Sequence, residues 1–444
     1  MRIIRRLLCG LAAALLMDGG FLWHLLPMRT PGKIGCLALL ATVFLLNALH
    51  PTRGKGLPRK LRQLAGGCEL LAEAGVAAVL QLAIYVCIGL GIPRTFGAGV
   101  WIVNAVVGLL LMAALLVSAL ARLFIASGQL TAGDRLFLLF LWWMPLVNLV
   151  VFFRIYQRTS AEYALGLRRL LRNRERVEQT VCRTKYPLLL VHGIFFRDWK
   201  LLGYWGRIPQ ELMDNGAAIH YGNQESSASV ERSAEELAAR ITQIVEREGC
   251  EKVNIIAHSK GGLDARYALS RLGMDQYVAS LTTVNTPHRG CRFARKALDK
   301  LPKNLVSSLS KRYDAIFAKL GDDEPDFFSG VSELTDEKCA ELNDLLPDCE
   351  GVLYQSVGSY MKNKKSAGFP LNLGYSIAHT IDGANDGLVA VPSMPWGEFT
   401  LLEPVGRRGI SHGDVIDLTR KDVPGFDVCE FYVQLVQSLK ERGL

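Results

Sequence analysis

The chain has 444 residues, 50% of them hydrophobic, and a formal net charge of +9; its mean hydropathy is positive, +0.19. That length allows two or three domains, and the apolar excess excludes a chain that lives entirely in water. The cysteines form no zinc-like cluster, there is no phosphate-binding loop, and many basic residues flank apolar runs, where anionic headgroups explain them better than nucleic acid.

Residues 1–154 are mostly long apolar runs, and this part reads as a helical transmembrane region. The first run, Leu7 to Leu26, follows Arg2, Arg5 and Arg6 but is interrupted by Asp18 and His24 and lacks a small-residue cleavage site, so it is expected to be retained. Further runs cover Ile34–Leu49, Val76–Ile92, Val100–Ala121 and Leu136–Phe153, the last with an expected kink at Pro145. The count is five spans, with four as the alternative. Five spans place the remainder outside the cell, whereas Arg158, Arg168, Arg169, Arg172 and Arg174 argue for the inside. The expectation is therefore a multi-pass membrane protein, contacting membrane lipids, with the side of its second half left open. Asp18, Glu73, Gln81 and Asn148 interrupt the runs as helix-to-helix ties or as part of a polar pathway.

Residues 155–181 form a basic connector with helical spacing, Leu167, Leu170 and Leu171 alternating with arginines. From 182 to 444 the composition is that of an ordinary globular domain. Apolar strands at Pro187–Val191, Val253–Ala257 and Val278–Val284 alternate with helices at 204–214, 233–248 and 263–272. This rhythm predicts an open, mostly parallel sheet covered by helices on both faces. It fails over about 292–348, an insertion whose Leu305, Leu309, Ile316, Phe317, Phe327 and Phe328 suit either a helical lid or ordinary packing. It resumes at Val352–Val357, and Phe426–Leu439 is expected to close the domain as a helix.

The stretch Val253 to Gly262 has a buried strand ending on Ser259, with small residues two before and two after it. A sharp strand-to-helix turn has room only for such neighbours, so Ser259 reads as a nucleophile. A serine needs a base, and the base needs an acid to orient it. Asp386, in the Gly383–Val389 turn, and His412, in Ile410–Asp414, follow in the order Ser, Asp, His. His258 shares the strained turn, His379 precedes the acid, and His288 lies in an early loop; Asp382 and Asp414 are the rival acids. The backbone N–H groups of Lys260 and Ile194 are the expected oxyanion donors. The Lys260 side chain is expected to be solvated or to meet an acidic substrate.

Val191-His192-Gly193-Ile194, Ala257-His258-Ser259-Lys260-Gly261-Gly262, Asn285-Thr286-Pro287-His288-Arg289-Gly290 and Asn385-Asp386-Gly387-Leu388-Val389 resemble the bacterial triacylglycerol lipase family of α/β-hydrolases over about Tyr186–Leu439. The resemblance implies an α/β-hydrolase fold and a carboxylic-ester hydrolase working through an acyl-enzyme, with a lipid or acyl-ester substrate, glycerides above all. It implies no required cofactor. Some members hold a structural calcium with an Asp two residues after the catalytic His, the place of Asp414, so calcium is the one metal expectation. The family's usual pattern lacks the N-terminal membrane part. The same residues serve phospholipase, thioesterase or acyltransferase chemistry, and a non-catalytic membrane partner is the rival of a different class. Cys339 and Cys349 suit a disulfide or two free thiols. The oligomeric state is left open.

Overall fold

The computed structural model describes residues 2–51, 56–92, 95–140, 144–194, 203–225, 228–292, 332–403 and 406–444. The chain divides into two compact units, Met1–Leu171 and Arg172–Leu444.

The first unit is helical: α1 (Arg2–Met17), α2 (Gly19–Leu25), α3 (Thr30–Leu49), α4 (Arg59–Gly89), α5 (Ala98–Ala126), α6 (Ala132–Phe140) and α7 (Pro145–Arg176), the last running past the unit's end. Among the described residues, α3, α4 and α5 are long and apolar enough to cross a membrane, and α1 with α2 makes a fourth if their 77° bend is counted within one span. The bend falls at Asp18, the polar residue that interrupts the first run. The run expected as a span over 136–153 is instead shared between α6 and α7, with 141–143 outside the described residues. Pro145 begins α7 rather than kinking a longer helix: proline lacks the N–H that a first-turn residue leaves unpaired anyway. Helix α7 then continues without a break through most of the basic connector.

The interior of this unit contains Leu64, Leu70, Leu115, Ala119 and Leu123, tied by buried polar pairs. The Asn104 amide donates to Asp18 Oδ1 over 2.8 Å and accepts from the Gly20 N–H over 3.0 Å. Arg6 grips Glu69 through two bonds of 2.8 and 2.9 Å. Asn47 donates to Glu73, and Ser127 to Glu162 over 2.6 Å. Its outward surface carries large apolar side chains such as Val79, Ile102, Leu109 and Leu110.

The second unit is built on a six-stranded parallel sheet in the order β2 (Ile219–Tyr221), β1 (Leu188–Val191), β3 (Val253–His258), β4 (Val278–Val284), β5 (Leu353–Gly358) and β6 (Glu398–Leu401). Side chains of a strand alternate between faces, and the two cores divide accordingly. Leu188, Leu190 and Ile256 enter one cluster with Trp205, Tyr432 and Val436. Leu189, Val191, Ile255 and Ala257 enter the other with Leu237, Ile241 and Leu269. The first face is covered by α8 (Ile208–Asp214) and α13 (Val428–Glu441), the second by α9 (Val230–Glu248) and α10 (Gly261–Arg271). Ser229 caps α9 by accepting from the Arg232 N–H, and Gly249 ends it in the left-handed region at φ 62°.

Within the insertion, α11 (Asp336–Leu345) is described, whereas Leu305, Leu309, Ile316, Phe317, Phe327 and Phe328 lie outside the described residues. Cys339 is a buried free thiol and Cys349 is also free. Two elements have no counterpart in the sequence reading: β6, and α12 (Leu371–Asp382) between β5 and the Asp386 turn. The Gly383–Val389 turn, whose apolar Leu388 and Val389 read in the sequence as the start of a strand, does not enter one. The Asp386 carboxylate takes the N–H groups of Leu388 and Val389 that a strand would need for its ladder.

Candidate active site

The loops leaving the carboxyl ends of β1, β3, β4 and β5 converge on Ser259, as the crevice rule for open α/β sheets requires. Ser259 follows the last residue of β3 with φ at +56°, a conformation that a side chain rarely adopts. Close neighbours enforce it. A Cβ at Gly193 would stand 2.7 Å from that of Ser259, and one at Gly262 would stand 3.0 Å from Thr283 Cγ2. These glycines let the elbow sit against the β1 and β4 turns, which explains the small residues around the serine.

Asp386 is fully buried and held from several sides. Its Oδ1 accepts from the Leu388 and Val389 N–H groups over 2.9 and 2.7 Å, and its Oδ2 from the Asn285 amide over 2.7 Å. The same Oδ2 lies 2.6 Å from His412 Nδ1, and the His412 N–H donates to the Asp386 carbonyl over 2.8 Å. Three donors thus hold the carboxylate in place beside the imidazole. The His412 ring lies 4.5 Å from that of His258, the residue just before Ser259, so the imidazole reaches the elbow. Among the described residues the Ser259 hydroxyl takes no hydrogen-bond partner; nucleophile-to-base bonds are commonly loose without substrate.

The rival residues have other occupations. His258 Nδ1 is 2.6 Å from the Tyr204 hydroxyl, which accepts from the Gly193 N–H over 3.0 Å. Burial, and then the nearby His412, hold the His258 imidazole well below its ordinary pKa, so it stays neutral. His288 is buried with Nε2 2.9 Å from the Thr283 hydroxyl and stacks on Trp396, and burial lowers its pKa as well. His379 stacks on Tyr375, and Asp382 pairs with Arg292. Asp414 accepts from the Ser411 N–H and hydroxyl over 3.0 and 2.6 Å and pairs with Arg408 over 2.9 Å. It braces the His412 loop. Calcium requires six to eight oxygen ligands, and Asp414 with both oxygens engaged and an arginine alongside does not fit such a cage; no group of three metal-ligating side chains occurs among the described residues.

The Lys260 side chain is neither solvated nor facing a substrate. Its Nζ is buried against Asp264 at 2.7 Å and the Ser233 hydroxyl at 2.9 Å, bracing the start of α10 against α9. Burial pushes the Asp264 carboxyl up to about 7, partly countered by Lys260. The Lys260 N–H has no hydrogen-bond partner among the described residues, nor does that of Ile194, whereas the Gly193 N–H is taken by Tyr204.

Asn285 escaped the sequence reading as a site residue in its own right. It follows β4 with φ at +48° and bonds both Asp386 and Ser359 over 2.7 Å. An asparagine directly after the strand that runs beside the serine's own was the available signal.

Residues 186–379 match the family model described as alpha/beta hydrolase fold. A triacylglycerol lipase of Pseudarthrobacter phenanthrenivorans is 33% identical over 180 residues, 38% of this chain and 56% of that protein. One from Burkholderia plantarii is 33% identical over 180 residues, 38% of this chain and 50% of that protein. The chain therefore spans about half the length of the curated relatives it matches. The crystal structure of Bacillus licheniformis lipase BlEst2 in mature form aligns with 57% of this chain and 92% of that one, at 20% identity and a TM-score of 0.43.

Proposed function

We propose, from the premise that residues 186–379 belong to the α/β-hydrolase family in its lipase and esterase branch, that this protein is a membrane-anchored serine hydrolase cleaving acyl esters, glycerides being the expected class. The observation that carries the reading is the 2.6 Å pair of Asp386 with His412 beside a serine held at φ +56°.

In the reaction, His412 Nε2 removes the Ser259 proton as Ser259 Oγ attacks the ester carbonyl. Asp386 holds the proton-bearing Nδ1 toward itself and stabilises the imidazolium, and Asn285 keeps that carboxylate in place. The N–H groups of Lys260 and Ile194, uncommitted within the described residues, receive the oxyanion. The imidazolium then gives its proton to the departing alcohol. A water, deprotonated by His412, attacks the acyl-Ser259 ester and releases the carboxylic acid. The anchoring rests on the first unit, whose apolar helices turn Val79, Leu109 and Leu110 outward.

Hydrolysis of a chain-length series of p-nitrophenyl esters and emulsified glycerides by detergent-solubilised full-length protein, beside Ser259→Ala, tests the reading. Activity confined to the native serine, rising with acyl length, is the expected result; equal traces from both proteins would remove it.

A further inference from the structure

Helix α12 packs one face on the catalytic loops and leaves the other bare. On its inner side Tyr375 and Ala378 are buried, the Tyr375 carbonyl accepts from the Asn385 amide over 3.4 Å, and Leu371 Cβ would lie 3.1 Å from a Cβ at Gly387, next to Asp386. On its outer side Leu373 and Ile377 are 55% and 42% exposed, and Phe369, in the turn that leads into the helix four residues before Leu373, is 82% exposed. Large apolar side chains at helical spacing, in open solvent, exceed what a surface helix needs for folding.

The flank of this ridge is basic. Exposed Lys364 and Lys365 precede it, and exposed Arg407 lies alongside, because the Asn363 amide donates to the Arg407 carbonyl over 2.8 Å and the Lys362 N–H to the Arg408 carbonyl over 3.1 Å. None of the three cations has an acidic partner among the described residues. The acidic Asp382 at the far end of α12 is neutralised by Arg292, and the Glu403 carboxylate accepts from the Tyr360 hydroxyl. An apolar ridge bordered by free cations complements a surface that is apolar below and anionic above. A protein partner would have to supply both features in one patch.

We propose that Phe369, Leu373 and Ile377, with Lys364, Lys365 and Arg407, seat the catalytic unit on an anionic lipid leaflet, so that the Asp386 and His412 rim meets esters as they lie in the bilayer. The inference rests on the lipid-ester reading above for its purpose and on α12 alone for its geometry. It separates two tasks: one segment of the chain keeps the protein in the membrane, and α12 orients the site against the membrane surface.

Amide hydrogen exchange of full-length Ser259→Ala, in nanodiscs of phosphatidylcholine with or without phosphatidylglycerol, measures the docking without any hydrolysis. Residues 368–381 should exchange more slowly with the anionic lipid, and the protection should vanish in Lys364→Glu/Lys365→Glu/Arg407→Glu. In the parallel assay, with Ser259 restored, that charge variant should turn over a long-chain ester dissolved in anionic nanodiscs roughly tenfold more slowly. Its turnover of a water-soluble short ester should be unchanged. Leu373→Asp should behave likewise; if it loses short-ester turnover as well, the exposed charge variant decides alone. Equal exchange in both lipids, or an unchanged rate on the bilayer ester, would overturn the proposal, including in favour of a protein partner. Absence of all ester hydrolysis would instead remove the enzymatic reading, with the exchange result still standing.

Discussion

Both units of this chain bury an apolar core, but they differ in what they expose and in where their buried polar groups lie. In the sheet unit the interior is apolar, with two clusters of aliphatic and aromatic residues on either side of the sheet, and buried polar groups gather at the carboxyl ends of the strands. In the helical unit, polar pairs such as Asp18 with Asn104 stand within the apolar interior, and leucines and valines also face outward. Water suits the first arrangement, and the proposed lipid setting would suit the second: polar groups in hydrocarbon must find partners among themselves, and apolar side chains there lose nothing by exposure. A buried polar residue therefore means something different in each half. On the proposed reading, in the sheet unit it points to chemistry, and in the helical unit to assembly.

Substitutions can break this contrast. The largest effect is expected from Asp386→Asn, which keeps the volume but offers His412 an amide in place of the carboxylate: kcat should fall about 10⁴-fold with the fold retained, as followed by ester turnover and circular dichroism. Next is Lys260→Met. It leaves Asp264 buried without its ammonium, and removal of one partner from such a pair costs about 3–5 kcal/mol when the other stays charged. Burial pushes the folded Asp264 carboxyl up to about 7, above the ordinary carboxylate range, and losing Lys260 raises it further. A raised carboxyl contributes stability at low pH that is lost as pH rises toward the folded value. Below about pH 7 both proteins keep the folded carboxyl protonated and lose stability in parallel, so the variant's deficit should be constant there and grow as pH rises above that value, as thermal unfolding would register; a deficit unchanged above about pH 7 would refute the assignment.

Asn285→Ala removes one donor from a buried carboxylate, worth about 1.5–3 kcal/mol, and should cost roughly 10–100-fold in kcat with KM little changed. The smallest effect belongs to the helical unit. Asn104→Leu should lower the stability of the detergent-solubilised protein by only about 0.6–1.7 kcal/mol, the range of interhelical hydrogen bonds, and leave short-ester kcat untouched. If Asn104→Leu abolished turnover, or Asn285→Ala lowered stability alone, the division between chemistry and assembly would fail.

What could be read from the sequence follows from how locally each feature is encoded. The strained turn at Ser259 needs small neighbours within two residues, so the sequence displays it; the unbroken apolar run Leu188 to Val191 likewise announces a strand buried on both sides. Asp386 and His412 stand in short glycine-containing turns, and the fold brings them within 2.6 Å. Long-range partnerships were hidden. Lys260 reads as a surface cation until Asp264 and Ser233 close over it, and Asn285 reads as a turn residue until Asp386 arrives from 101 positions away. Asp414 was open to a metal role until Arg408 and Ser411 occupied it. Helix α12 was missed because its outward face is apolar where a surface helix is ordinarily polar. Pro145 suggested a kink because its ring forbids a helix interior, yet the same property suits a helix start, and only the neighbouring backbone decides between them.

The central claim is that Ser259 is a nucleophile activated by His412 and Asp386. Reaction of the full-length protein with a fluorophosphonate, followed by peptide mass mapping, tests it most directly. The account predicts one adduct, on Ser259, formed far more slowly in His412→Ala. A modification elsewhere, or equal labelling of the His412→Ala protein, would contradict it.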